Sequence, residues 1–169
     1  VAQLLFAERI PVATRPEFPP VLPLVLSLLQ PLLQRLHVAM QAGIPSLELG
    51  FGGVWVGAAP YLMFIPIKEG TDAPAGPPQI LLDGWGFQDT HETLNNFVWG
   101  PDGWLYGNQG VFNYSRIGQP GIAEADRMEM WAGVWRYHPV RREFEVFAYG
   151  GSNQWGLDFN EAGELFMTQ

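Results

Sequence analysis

The side chains that could carry proton chemistry are few, and His91 is the first to consider. The chain has 169 residues, three His and no Cys, which excludes thiol nucleophiles, disulfides and cysteine-based zinc sites. Histidine is the side chain whose ordinary pKa suits proton transfer near neutral pH. Asp89 or Glu92 could orient the imidazole of His91. The alternative is that His91 only caps or bridges its loop with Thr90 and Asn95.

Other motifs argue against several classes of function. His37 lies in a predicted helix and His138 at a predicted hairpin turn, so three histidines alone make a poor metal cluster. The stretch "GGSNQ" is not a nucleophile elbow, no phosphate-binding loop is present, and "PDG" and "FNEAG" lack the alternating carboxylates of a calcium loop. The net charge of −8 disfavours nucleic acid and anionic membrane surfaces as partners.

The elements that must position these residues are short β-strands. Residues 97–107 read "FVWGPDGWLYG", in which Pro, Asp and Gly form a turn between two runs of good strand formers. This stretch aligns with "LDFNEAGELFM" at 157–167, an offset of 60 residues. The sequence therefore predicts two equivalent hairpins.

The surrounding strands extend this repeat. Strands are predicted in "GGVWVGA", "PYLMFIP", "QILLDG", "GVWRYHP" and "FEVFAYG". Four short antiparallel strands in a unit of about 50–60 residues are typical of a β-propeller blade. We therefore predict an all-β fold, a β-propeller fragment with one full four-stranded blade at 94–150 and two partial blades at 52–84 and 154–168. The polar loop 68–78 and the insertion 113–130 are predicted to shape a binding face.

The first 47 residues differ from the rest in composition. Residues 1–50 contain 12 of the 19 Leu and 7 of the 15 Pro, whereas all seven Trp and all five Tyr follow residue 50. Pro and polar residues interrupt the apolar run, so no membrane span is predicted, and no signal peptide is recognised. A helix over about 24–41 is predicted. We divide the chain into a Leu/Pro-rich segment at 1–47, either out-of-frame or disordered, and a partial propeller domain at 48–169.

The stretches "GFGGVWVGAAPYLMFIP", "LLDGWGFQDTHETLNNFVWGPDGWLYG", "AGVWRYHPVRREFEVFA" and "SNQWGLDFNEAGELF" carry a family resemblance. They resemble the propeller domain of secreted bacterial proteins of the planctomycete and verrucomicrobial type, labelled membrane-bound dehydrogenases, many of which carry a cytochrome c module. More distantly, the domain is similar to glucose/sorbosone dehydrogenases that use pyrroloquinoline quinone (PQQ). The resemblance covers about 48–169 and implies a periplasmic or secreted protein.

The resemblance also implies site residues. His91 matches the catalytic base of the sugar dehydrogenases, with one extra residue in the spacing. Gln109 matches a loop residue at the central funnel; alternatively, Asn108 and its neighbouring glycines only form a turn. Asn153 matches a residue near the quinone, where Ser152 replaces the expected Arg, and this replacement argues against PQQ binding because PQQ is a tricarboxylate. Calcium ligands of that family would lie beyond Gln169.

Two functions remain open at this point. One is a fragment of a PQQ-type sugar or alcohol dehydrogenase, inactive by itself because its ring is open. The other is a non-catalytic propeller that binds carbohydrate or protein. Among the tryptophans, we expect those at 99, 104, 135 and 155 to pack between blades and Trp85 to be the exposed one.

Overall fold

The computed structural model describes residues 46–168, and within them the chain forms twelve β-strands and one short 3-10 helix. The all-β prediction is confirmed for this part of the chain. The predicted helix over 24–41 and residues 1–45 of the Leu/Pro-rich segment lie outside the described residues. In chain order the strands are β1 (Ser46–Gly50), β2 (Gly53–Ala58), β3 (Tyr61–Pro66), β4 (Gln79–Leu82), β5 (Asn95–Trp99), β6 (Leu105–Gln109), β7 (Ser115–Ile117), β8 (Met128–Met130), β9 (Gly133–His138), β10 (Glu143–Tyr149), β11 (Gly156–Phe159) and β12 (Leu165–Thr168), and the 3-10 helix is Glu124–Asp126.

The strands form two four-stranded sheets and two hairpins, all antiparallel. The first sheet has the order β1-β2-β3-β4 and the second has the order β5-β6-β9-β10. The hairpin β7–β8 is an insertion between β6 and β9 of the second sheet. The hairpin β11–β12 follows the last strand of that sheet, β10. Over residues 46–168 no sheet closes on itself.

The first sheet corrects the prediction of a partial unit at 52–84. It has four strands, because β1 pairs with β2 from Ser46 opposite Gly57 to Gly50 opposite Gly53. Phe51 and Gly52 make the tight turn with φ of 51° and 77°, as a two-residue hairpin turn requires. The sequence "SLELG" was missed because its leucines resemble the Leu-rich tract before it. The strand begins before the boundary that composition suggested at 47/48.

The two predicted hairpin turns are confirmed and match each other. Gly103 and Gly163 both have φ of 80°, a conformation that glycine adopts at little cost. Gly103 N–H donates to the carbonyl of Gly100 at 3.0 Å, and Gly163 N–H donates to that of Asn160 at 2.9 Å. The predicted hairpin at "HPVRRE" is also present, as β9–β10.

The connections between strands fall at two opposite edges. We call one the turn edge (connections 51–52, 67–78, 100–104, 139–142 and 160–164) and the other the loop edge (connections 59–60, 83–94, 110–132 and 150–155). The indole N–H of Trp99 donates to the Leu49 carbonyl at 2.7 Å near the turn edge. Arg116 N–H donates to the Gly84 carbonyl at 3.0 Å at the loop edge. The loops 68–78 and 113–130, predicted to share a binding face, therefore lie at opposite edges.

Apolar side chains join the sheets in chain order. Trp55 and Leu62 of the first sheet share a core cluster with Leu105 and Trp135 of the second. On the other face of the second sheet, a cluster around Trp104 packs against the β11–β12 hairpin. Each full sheet thus contributes apolar residues to an interface with the unit beside it.

The tryptophan predictions hold for the strands and are wrong at the loop edge. Trp104 and Trp135 are buried, as expected. Trp85, expected to be exposed, is 1% exposed, because Gly86 N–H bonds to Ser115 Oγ at 2.8 Å and draws its connection under the insertion. Trp155, expected in the core, is 49% exposed, because it precedes β11 and lies in a loop.

Candidate functional site

Hydrogen bonds join three segments of the loop edge to one another. Gly110 N–H donates to the Glu92 carbonyl at 2.8 Å, and Val111 N–H donates to the Ser152 carbonyl at 2.9 Å. The Asn113 side chain closes a ring with the backbone of Asp89, with bonds of 2.7 and 3.1 Å. The connections 83–94, 110–114 and 150–155 therefore form one surface. All three sequence-predicted site residues, His91, Gln109 and Asn153, lie at this edge.

His91 is the predicted site residue that faces solvent with a carboxylate beside it. Its side chain is 73% exposed, and its Nδ1 lies 3.5 Å from Asp89 Oδ1. The same Asp89 oxygen accepts the His91 backbone N–H at 2.8 Å. The exposed indole of Trp155 lies beside the imidazole, with ring centroids 6.4 Å apart. An imidazole that is open to solvent and lies beside a carboxylate can accept a proton from a bound hydroxyl.

The loop that carries His91 is also fixed by its neighbours. Asn95 Nδ2 donates to the His91 carbonyl at 2.8 Å, so the bridging interaction weighed above is present. It uses the backbone of His91 and leaves the imidazole exposed. The bridging interaction therefore does not occupy the imidazole.

Glu92, the other acid considered as a partner for His91, has a different place. It is 1% exposed, and its Oε2 accepts the Phe112 N–H at 2.9 Å. A Cβ at Gly110 would lie 2.4 Å from the same oxygen, so the loops approach closely here. Glu92 therefore joins the 83–94 connection to the 110–114 connection through a hydrogen bond. Asp89 is the acid that lies beside His91.

Gln109 is fully buried and its amide is used internally. Its Nε2 lies within hydrogen-bond distance of the carbonyls of Asn113, Met130 and Trp131 at 2.8–3.2 Å. Its Oε1 accepts the hydroxyl of Ser115. A ligand would have to displace these bonds, and each buried group left unpaired costs about 1–3 kcal/mol. Gln109 ties the insertion to β6.

Asn153 lies in an exposed part of the 150–155 loop. Its neighbour Gln154 is buried, and Gln154 Nε2 donates to the Gly150 carbonyl. Sequence reasoning missed this anchor, although a Gln beside a Trp in a Gly-rich loop is a signal that could have been followed. The anchor holds Asn153 and Trp155 at the surface.

Sequence reasoning also missed exposed aromatic side chains at this edge. Phe112 is 68% exposed and Trp131 is 59% exposed. Tyr114 lies against Trp131, with ring centroids 4.6 Å apart. Their position within and next to the predicted insertion was the available signal. Exposed aromatic rings at a loop surface favour ligand or partner contact.

The residues of these loops do not fit the carboxylates of PQQ. The stretches 85–94, 110–114 and 150–155 contain no Lys or Arg, and Gln109 is engaged internally. A tricarboxylate needs cationic or multiple N–H partners. Within residues 46–168, no group of three or more His, Asp or Glu is placed to hold a metal ion. The loops can supply a base and do not supply an anion-binding wall.

Comparisons with known proteins identify one family. The model of the family described as a domain of unknown function, DUF7133, matches residues 46–169. No curated protein and no solved structure matches the chain. Across the described residues, no helix is long and apolar enough to cross a membrane. The matched region covers every described strand, and the chain belongs to the DUF7133 family.

Proposed function

We propose that the described domain is part of a β-propeller in a sugar or alcohol dehydrogenase, with His91 as its base. The propeller is supported by two successive four-stranded antiparallel sheets and a third hairpin, which pack through apolar faces. Propellers typically have four to eight such units around a channel. The two sheets and the hairpin of residues 46–168 do not close a ring, so this part of the chain is expected to show no turnover by itself.

One observation carries the catalytic proposal, namely the exposed His91–Asp89 pair beside Trp155. Asp89 Oδ1 lies 3.5 Å from Nδ1 of the ring, and we assign the other ring nitrogen, Nε2, as the proton acceptor. A sugar ring stacked on Trp155 would present a hydroxyl to that nitrogen. His91 would take the hydroxyl proton as the carbon is oxidised to a carbonyl. Oxidation of that carbon would also need a hydride acceptor, and these three loops do not supply one.

A second candidate is a non-catalytic propeller that binds carbohydrate or protein. The internal engagement of Gln109 and the presence of Ser152 in place of an Arg favour it, since both remove groups that would hold PQQ. The exposed rings of Phe112 and Trp155 suit either candidate.

Under the dehydrogenase proposal, electrons pass onward to a cytochrome c module in a periplasmic or secreted protein.

The test compares two histidines in the full-length protein. Dye reduction is measured with a panel of sugars and alcohols, with PQQ and calcium added, for wild type, His91→Ala, Asp89→Asn and His138→Ala. His138 lies at the turn edge, where its Nδ1 accepts backbone N–H groups at 3.2 Å. We expect His91→Ala to lose about 100-fold or more in rate, as loss of a general base does, and His138→Ala to keep the rate.

The outcomes separate the two candidates. Equal rates in wild type and His91→Ala would refute the role of His91. Sugar binding without turnover in any variant, under all acceptor conditions, would establish the non-catalytic propeller instead.

A further inference from the structure

An open cleft lies at the loop edge, between the first sheet and the insertion. Its volume is about 450 Å³, within the range of small-molecule sites of about 300–1,000 Å³. Six of its lining side chains carry the argument: Tyr61, Asp83, Tyr114, Arg116, Glu124 and Arg127. The cleft contains none of His91, Gln109 and Asn153, and it shares Tyr114 with the loop surface described above.

The wall of the cleft is held by a nearly buried arginine. The Arg127 side chain is 13% exposed and forms an ion pair with Asp83. Its Nη1 also donates to the backbone carbonyl of Arg116 at 3.1 Å. Backbone bonds join Asp83 and Gly118 in both directions, at 2.9 and 3.1 Å. The cleft is therefore largely formed before any ligand binds, which reduces the cost of binding.

Both arginines of the cleft lie against carboxylates. Arg116 pairs with Glu124 at 3.0 Å and lies 3.7 Å from Glu129, and Arg127 pairs with Asp83, so neither cation is left free for an anionic ligand. An anionic ligand would be repelled by the carboxylates of Asp83 and Glu124. A cationic ligand would be repelled by the two arginines. A neutral ligand with both donors and acceptors suits this lining best.

The cleft is also lined by a partly exposed arginine and by aromatic rings. The Arg116 side chain is 32% exposed. Tyr61 and Tyr114 add phenol groups and ring faces. Planar charged groups and aromatic rings together recognise the hydroxyls and the C–H faces of a sugar.

The cleft shares its connection with the His91 site. Asp83 and Asp89 are six residues apart in one connection, so their Cα atoms lie at most about 22 Å apart. Tyr114 of the cleft directly follows Asn113, which is bonded to Asp89. The two places are therefore close along the chain and lie at the same edge of the sheets.

We propose that this cleft is a subsite for a neutral sugar unit of an oligosaccharide whose reacting end lies at His91. The inference rests on the proposed function for the reacting end. The binding of a neutral saccharide in the cleft stands independently of turnover. The preferred substrate is then an oligosaccharide and not a free monosaccharide.

The test is calorimetric titration of the full-length protein. The probes are cellotetraose, maltotetraose and xylotetraose as neutral chains, glucose as a monosaccharide, and tetragalacturonate as an anionic chain. The variants are Tyr114→Ala and Tyr61→Ala, with Tyr149→Ala as the matched control because Tyr149 is 70% exposed on β10. Near-ultraviolet circular dichroism checks the fold of each variant.

We expect at least one neutral tetrasaccharide to bind about tenfold or more tightly than glucose. Tyr114→Ala or Tyr61→Ala should weaken that binding about tenfold, equivalent to about 1.4 kcal/mol, whereas Tyr149→Ala should leave it unchanged. No binding of any neutral chain, equal weakening by the control, or preference for tetragalacturonate would overturn the proposal. In the dye-reduction assay, turnover of glucose without tetrasaccharide binding would overturn this subsite and leave the proposed function standing. Tetrasaccharide binding without turnover of any sugar, the tetrasaccharides included, would leave the subsite standing and overturn the dehydrogenase.

Discussion

At the scale of single residues, Arg136 is the most heavily used charged side chain of the second sheet. Its Nη1 donates to Asp102 Oδ2 at 3.0 Å and lies 2.9 Å from the Tyr106 hydroxyl. The guanidinium lies 4.3 Å from the ring centroid of Trp104 and also contacts Glu145. The network joins β6 and β9 on the face that meets the β11–β12 hairpin.

We predict that Arg136→Ala lowers the free energy of unfolding by about 2–3 kcal/mol, because it removes charged hydrogen bonds and a stacked cation together. Arg141→Ala is the matched control, since Arg141 also lies over Trp104, at 4.9 Å, and pairs with Glu143. The Arg141 side chain is 50% exposed, whereas that of Arg136 is 21% exposed. The control should cost less than about 1 kcal/mol. Equal urea midpoints for the two variants would contradict this account of the network.

Tyr137 gives the fold a dependence on alkaline pH. Burial raises the pKa of Tyr137 above its ordinary value of 10.0, opposed by the nearby Arg142. Between that value and the raised pKa, the folded state holds a proton that the unfolded state has released. The contribution of protonated Tyr137 to the stability of the fold is therefore complete below about pH 10. It is lost as the pH rises through the pKa that Tyr137 has in the folded state.

We predict that the free energy of unfolding falls with pH above about 10, and that Tyr137→Phe makes this fall shallower. Tyr149→Phe should leave it unchanged because Tyr149 is exposed. Urea unfolding at pH 9, 10 and 11 measures the slopes. Parallel slopes for wild type and Tyr137→Phe would rule out a contribution from this group.

At the scale of elements, the insertion between β6 and β9 depends on Gln109. The Gln109 amide bonds to backbone at both ends of the β7–β8 hairpin. We predict that Gln109→Leu costs about 3 kcal/mol or more, since it leaves several buried carbonyls unpaired. Hydrogen exchange should accelerate first in β7 and β8. Gln119→Leu is the control, because Gln119 is exposed in the same insertion, and equal exchange in both variants would show that Gln109 is no anchor.

Turn chemistry made the hairpins predictable from sequence. At Gly103 and Gly163 the residue types alone require a turn, and the structure has both. The strand Ser46–Gly50 was missed because leucines do not distinguish a strand from a helix over five residues.

Three features depend on how the loops pack on one another. They are the burial of Trp85, the exposure of Trp155 and the internal hydrogen bonds of Gln109. Those contacts form between segments distant in sequence, so a local pattern does not contain them. The sequence offered two acids, Asp89 and Glu92, as partners for His91. The pairing of His91 with Asp89 and not Glu92 required the structure.

At the scale of the whole molecule, the two four-stranded sheets repeat one arrangement. Each presents its chain connections at the same two edges, and each packs on its neighbour through buried aromatic and aliphatic residues. Repetition places the connections 83–94 and 150–155 side by side, which brings His91 next to Trp155. In the proposed propeller, this edge faces the substrate.

The most direct measurement is an experimental structure of the full-length protein with bound glucose. We predict a closed ring of four-stranded sheets, with a glucose hydroxyl oxygen about 3 Å from His91 Nε2 and the sugar ring beside Trp155. Glucose bound at the turn edge, or another sheet packed over His91, would contradict the proposal that the loop edge is the functional face.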